Sequence, residues 1–204
     1  MSGYGMNAAP SPQFLLASSS PRRHELLASL CIGFDVEQPD ADESITPGTT
    51  PQDAVQELAR RKYDAVHDAG RYEYVLTADT IVVAPDGCIL GKPTDRDEAA
   101  RFLHMLSGAP HSVLTGVCLA RPRQNAFEIA FDTTRVHVES LTETDIEWYV
   151  STGEWQGVAG GYRMQGAGAA LLSGIEGSPS NVIGLPLRLV YSMLCACQFP
   201  FDRI

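Results

Sequence analysis

Asp79 stands inside the run Tyr74-Val75-Leu76-Thr77-Ala78-Asp79-Thr80-Ile81-Val82-Val83, and a carboxylate there is the first chemical oddity of the chain. A continuous β-branched and apolar run of this kind reads as a central strand buried on both faces. A lone charge inside it is costly unless it is paired, hydrogen-bonded or metal-bound. A second oddity is Ser18-Ser19-Ser20-Pro21-Arg22-Arg23. Ser20 and Pro21 suit an N-cap and a first helical position, but the positive end of a helix dipole favours acids over two arginines. Helical N–H groups, serine hydroxyls and two guanidiniums together fit an anion, most simply a phosphate. The chain has thirteen arginines against two lysines, Lys62 and Lys92, which points to lysine kept where a compact ammonium is needed. Lys92 lies in the turn Gly91-Lys92-Pro93, where glycine lets backbone approach a ligand. Glu43 belongs to the acidic segment Gln38–Ser44, and Gln165 to a glycine-rich stretch, Gly157–Gly168. A glutamine amide there can both donate to and accept from a base edge. The glycine-rich stretch fits neither a Walker A loop nor a dinucleotide fingerprint.

The elements that would position these groups follow from pattern. Phe14–Ala17 reads as a buried strand, and Pro21 opens a helix with Leu26, Leu27 and Leu30 on its apolar face. Phe34–Glu37 reads as a second strand. Thr50-Pro51-Gln52-Asp53 starts a helix with a capping-box pattern, carrying Val55, Leu58, Ala59, Lys62 and Val66. After Tyr74–Ala84 and the turn Pro85-Asp86-Gly87, Thr94 is placed to cap a helix that ends near Ser107-Gly108. Ser112–Ala120 and Ala126–Val138 read as two strands, with His111 and Thr115 near the start of the pair. Thr142 and Asp145 cap a further helix that Gly153 stops; a strand over Ala169–Leu172 and a last apolar helix after Gly184-Leu185-Pro186 complete the chain. Strands alternate with helices, so the fold class is α/β.

Composition narrows the function classes. The net charge is −10 over 204 residues, with no basic stripe, which argues against a nucleic-acid or membrane-surface partner. No apolar run approaches the roughly 20 residues that cross a bilayer. Residues 1–13 read as a polar, flexible tail that lacks the basic start and apolar core of a signal peptide. The five cysteines show no zinc spacing and read as reduced core thiols, placing the chain in the cytoplasm. The five histidines have no metal-ligand spacing either. Residues 14–204 read as one two-lobed domain.

Five stretches taken in order resemble one family: Leu16-Ala17-Ser18-Ser19-Ser20-Pro21-Arg22-Arg23, Ala78-Asp79-Thr80, Gly91-Lys92-Pro93, Leu106-Ser107-Gly108 through His111 to Thr115-Gly116, and Ala159-Gly160-Gly161-Tyr162 to Gln165-Gly166. The chain resembles the Maf proteins, the septum-formation-inhibitor family of nucleoside triphosphate pyrophosphatases, from about Phe14 to Leu194. The resemblance implies an elongated mixed β-sheet flanked by helices, with two lobes around a deep cleft, related to the inosine-triphosphatase-like fold. It implies cleavage between the α- and β-phosphates with a divalent cation, Mg²⁺ or Mn²⁺. By matched position it makes Asp79 the acid–base residue, Arg23, Thr80 and Gln165 the substrate-discriminating residues, and Ser18, Arg22, Glu43, Lys62 and Lys92 the polar lining of the cleft. Pro21-Arg22-Arg23, Asp79-Thr80 and Tyr162 to Gln165 are similar to the dTTP/UTP type rather than the 7-methyl-GTP type. One stretch departs from that type: Gly157-Val158 stand where it commonly carries Asp-Lys.

The expected chemistry is hydrolysis of dTTP, UTP and modified pyrimidine nucleotides to the monophosphate and pyrophosphate, a house-cleaning activity. Asp79, Lys92 and Glu43 are the expected catalytic residues, with Asp79 and Glu43 as metal ligands. Ser18, Arg22, Arg23, Lys62, Thr80 and Gln165 are expected to bind substrate. Two other readings stand beside this one. The first is a nucleotide-binding regulator of septum formation and cell division that hydrolyses little or nothing; the second is the same chemistry on 7-methyl-GTP or another modified purine nucleotide. A homodimer is left open.

Overall fold

Residues 13–201 are described by the computed structural model of the chain. The expected tail, residues 1–13, therefore lies outside them except for Gln13, whose carbonyl accepts from the amides of Glu73 and Tyr74 at 2.8 and 3.1 Å. In chain order the elements are β1 (Phe14–Ala17), α1 (Pro21–Ala28), β2 (Asp35–Glu37), α2 (Pro51–Asp64), β3 (Tyr74–Val83), β4 (Ile89–Leu90), α3 (Arg96–Leu106), β5 (Pro110–Arg121), β6 (Ala126–Val138), α4 (Glu143–Ser151), β7 (Leu172–Glu176), α5 (Pro179–Ile183) and α6 (Leu187–Ala196).

The strands form one seven-stranded mixed sheet in the order β2-β1-β3-β5-β6-β7, with β4 paired to β3. The β1–α1–β2 and β1–β3 pairings are parallel, and along β3, β5, β6 and β7 each strand runs antiparallel to the next. The shortness of β1 shapes everything that follows. It pairs with Tyr74–Leu76, and β4 takes up pairing again only at Val82–Val83. Between them, Thr77–Ile81 have β5 alone as strand neighbour, so the sheet is open on that side at Asp79 and Thr80. Strand period two then sends these adjacent side chains to opposite faces.

One face is covered by α2. Val55, Leu58, Ala59 and Lys62 recur at helical spacing and are all buried, so Lys62 lies on the helix's apolar stripe rather than on its wet side. Helix and sheet approach closely enough for Thr77 Oγ1 to donate to the Ala59 carbonyl at 2.6 Å. Gly116 on β5 makes that approach possible: a Cβ there would stand 2.1 Å from the Val55 carbonyl oxygen. The opposite face carries two cores. Phe14, Leu16, Leu76, Val117 and Leu119 pack with α1 and α6; Val82, Val113, Val136 and Val138 pack with α3 and α4.

Caps mostly follow the sequence. Thr50 accepts from Asp53 N, and Thr142 with Asp145 makes a reciprocal capping box. Several expectations change. Asp95, not Thr94, caps α3, because Thr94 spends its hydroxyl and amide on Glu98 Oε2. Ser20 precedes α1 without a side-chain cap bond, and its own amide donates to Ser18 Oγ at 3.2 Å. The strand expected over Ala169–Leu172 is a 3₁₀ turn through Gly166–Leu171, since close glycine packing tightens the chain there, and β7 begins only at Leu172. Of the five cysteines, Cys118 alone is a core thiol; Cys31, Cys88 and Cys195 are exposed because they fall in turns or on the outer face of α6, and all five are free. No described helix is long and apolar enough to cross a membrane.

Gly116→Ala should lower stability by about 1–3 kcal/mol, since the added methyl forces α2 away from β5. Chemical denaturation measures this; an unchanged midpoint would mean that α2 lifts off the sheet without cost.

Candidate active site

The open stretch of β3 forms the floor of a cleft of about 720 Å³. Its walls are the loop and first turn of α1, the segment around Gln38 and Glu43, the Lys92 turn, the glycine-rich loop and the end of α5. Ser18, Arg22, Arg23, Glu43, Lys62, Asp79, Thr80, Lys92 and Gln165 all line it.

Two groupings meet here, one from each face of β3. On the α2 face, Lys62 Nζ contacts Asp79 Oδ1 and donates to Glu43 Oε1 at 2.8 Å. Lys92 Nζ donates to the other oxygen, Glu43 Oε2, at 3.0 Å. Lys62 and Asp79 are only 9% and 8% exposed, so each charge exists there because the other compensates it. Burial alone would raise the Glu43 pKa, but hydrogen bonds from Lys62 and Lys92 and their charges outweigh it and hold the carboxyl at about 2. The four groups form a chain of alternating charge whose formal sum is zero.

On the other face, Arg23 spreads its fork over three acceptors. Nε donates to the Gly184 carbonyl at 2.8 Å, Nη2 to Thr80 Oγ1 at 3.1 Å and Nη1 to Ser18 Oγ at 3.4 Å. Burial pushes its pKa down and the Asp79 charge partly restores it. The relay continues inward. Thr115 donates to the Asn181 carbonyl at 3.1 Å, so across the 2.9 Å contact Thr80 donates to Thr115 and accepts from Arg23. A hydroxyl oriented from both sides can distinguish one ligand group from another.

The glycine-rich loop is anchored in several places. Gly160 N donates to the Gly91 carbonyl at 2.9 Å, joining the loop to the Lys92 turn. Tyr162 is held by His111 Nε2 at 2.7 Å, a pair whose imidazole burial and the His137 charge depress to about 4. Glu154 accepts from the amides of Ala167 and Gly168 at 3.1 and 3.3 Å, and a Cβ at Gly166 would meet its Oε1 at 2.5 Å. Gln165 is thereby held at the cleft exposed, its amide making no described hydrogen bond.

Sequence reasoning passed over three groups in this cleft: Arg163, Glu154 and the Gly184 carbonyl. Arg163 had a signal, being the one charged residue in Gly157–Gly168. The carbonyl had none. Asp79 and Glu43 are hard oxygen donors, and no group of three metal-ligating side chains occurs among the described residues. Mg²⁺ normally takes only one or two carboxylates and completes its shell with phosphate oxygens and water; Asp79 Oδ2 is the one oxygen of this pair not engaged by a lysine, so the pair fits such an ion if Lys92 gives up Glu43 Oε2.

The family model for Maf-like proteins matches residues 13–197. A dTTP/UTP pyrophosphatase of Anaeromyxobacter dehalogenans (strain 2CP-C) is 45% identical over 192 residues, which cover 93% of this chain and 96% of the relative. The dTTP/UTP pyrophosphatase of Symbiobacterium thermophilum is 46% identical over 188 residues, covering 92% and 95%. Among solved structures, the Staphylococcus aureus Ham1 protein aligns over 62% of this chain and 71% of its own, with 13% identity and a TM-score of 0.45.

The Glu43 carboxyl predicts an acid-side effect on stability. Its folded pKa lies below the ordinary 4.5, so the Lys62–Glu43–Lys92 link is fully stabilising above about pH 4.5 and is lost as pH falls through about 2. Thermal melts across that window should fall less steeply for Glu43→Gln than for the wild type. Identical slopes would show that the carboxylate carries no such link.

Proposed function

The chain belongs to the Maf-like protein family, and from that membership we propose that it is a nucleoside triphosphate pyrophosphatase acting on dTTP, UTP and modified pyrimidine nucleotides. The observation that carries the reading is the cleft itself, where a carboxylate–ammonium chain, buried at Asp79 and Lys62 and exposed at Glu43 and Lys92, meets an arginine-ordered threonine hydroxyl on adjacent residues of one strand.

The α–β phosphoanhydride is attacked in line by water. The new bond runs from water oxygen to the α-phosphorus, the bridging P–O bond breaks, and pyrophosphate leaves with its electron pair. Asp79 accepts the water's proton. Oδ1 is held by Lys62, and Oδ2 accepts no hydrogen bond among the described residues, leaving it available to the water. Lys92, on a turn at the cleft mouth, stands where it can pass from Glu43 to a phosphate oxygen. Asp79 and Glu43 would hold the Mg²⁺ or Mn²⁺, which supplies Lewis-acid polarisation of phosphate oxygens when bound. Ser18 and Arg22 bind phosphate. Arg23, Thr80 and Gln165 read the base: the Gln165 amide accepts from the N3–H of uracil or thymine and donates to a ring carbonyl.

Asp79→Asn should lower turnover by roughly 10²–10⁴. The measurement is pyrophosphate release from dTTP, UTP, 5-methyl-UTP, pseudouridine triphosphate, CTP, 7-methyl-GTP and ITP with Mg²⁺ or Mn²⁺. Release confined to uracil and thymine nucleotides supports the reading. A 7-methyl-GTP preference would keep the reaction and overturn the roles of Arg23, Thr80 and Gln165. No release from any nucleotide would overturn the activity.

A further inference from the structure

The cations of the cleft are not equally employed. Without ligand, Lys62 and Lys92 pair with Asp79 and Glu43, and Arg23 with Gly184, Thr80 and Ser18. Arg22 and Arg163 also line the cleft, yet neither side chain makes a hydrogen bond or ion pair among the described residues. Arg163 Nε is buried without a partner. The two guanidiniums come from different walls. Arg22 is in the first turn of α1, whereas Arg163 is in the glycine-rich loop, its amide pinned to Tyr149 Oη at 3.0 Å. Burial and then the Arg163 charge push the Arg22 pKa down, so the two cations repel each other. The Glu25 charge relieves Arg22 only in part, and no carboxylate makes an ion pair with either guanidinium among the described residues. Glu154 spends both oxygens on backbone amides, and Glu25, one turn along α1, pairs with neither.

We propose that Arg163 is a substrate-contacting residue that, with Arg22, grips the pyrophosphate end of the bound nucleoside triphosphate from across the cleft. The assignment rests on the pyrophosphatase reading above. A triphosphate brings about four negative charges, and Arg22 and Arg163 are the two cleft guanidiniums with no internal acceptor among the described residues to give up before meeting them. Guanidiniums match phosphate oxygens bidentately, and a multiply charged anion between them turns their repulsion into shared attraction. Ligand-free, the pair is a source of instability that the anion removes.

The test is calorimetric titration of inorganic pyrophosphate into the full chain, with melting curves of the ligand-free protein. Wild type should bind. Arg163→Gln should bind roughly tenfold to a hundredfold more weakly, with partial recovery in Arg163→Lys. Arg163→Gln should also melt higher without ligand, because the repulsion with Arg22 and the orphaned Nε are gone. Absence of pyrophosphate binding by wild type, or equal affinity in Arg163→Gln, would overturn the proposal. Weaker binding joined to a lower ligand-free melting temperature would overturn it too, assigning Arg163 to structure. UTP hydrolysis by wild type is scored separately: its absence sinks the proposed activity, while the pyrophosphate affinities still decide the role of Arg163.

Discussion

A lysine on the apolar stripe of a helix is the constraint around which this molecule is built. Lys62 follows Val55, Leu58 and Ala59 at the spacing that faces the sheet, so folding α2 onto β3 and β5 necessarily buries an ammonium. That is tolerable only if a carboxylate waits on the strand beneath and another closes from the side, which Asp79 and Glu43 do. Such a pairing offsets its own desolvation more than it adds stability. Its effect is on register: a one-residue slip of β3 would turn Asp79 away from α2 and leave Lys62 unpaired. Gly116 completes the arrangement by allowing the close approach that brings Lys62 within reach.

The adjacent residue does the complementary work. Because strand side chains alternate, Asp79 and Thr80 address different partners, α2 on one face and Arg23 on the other. They serve one cleft only because β1 ends early and β4 starts late, leaving that edge of β3 without a strand neighbour. The ionic chain and the hydroxyl relay are thus separated by a single peptide unit. The ionic chain on one face and the hydroxyl relay on the other are tuned by different neighbours, so a change in Thr115 or Gly184 need not disturb Lys62.

Much of this is legible in the sequence. The unbroken apolar run of β3, the capping patterns at Thr50 and Thr142, and the glycine-flanked Lys92 are local signals with local causes. So is the incongruity of Asp79 within its run, since burial makes a lone charge conspicuous. What stayed hidden was non-local. Arg23 is bound by a carbonyl 161 residues away, which no side-chain pattern announces. The course of Gly166–Leu171 depends on Glu154 holding two amides, and glycine-rich sequence has no period to read. The cysteines misled because apolar neighbours in sequence do not fix which face of a helix or turn a residue takes; Cys195 on α6 is exposed although its neighbour Leu194 is buried.

The two cores on one face of the sheet share their strands: Leu76 and Val82 of β3, and Val117 and Val113 of β5, belong to opposite cores. The floor of the cleft is therefore continuous beam rather than joint, and bending it would shear the β3–β5 ladder directly under Asp79 and Thr80. Whatever closes over a substrate has to be hung from the rim. The Lys92 turn and the glycine-rich loop are riveted together there by the bond from Gly160 to Gly91, so the Lys92 ammonium and the Gln165 amide hang from one jaw.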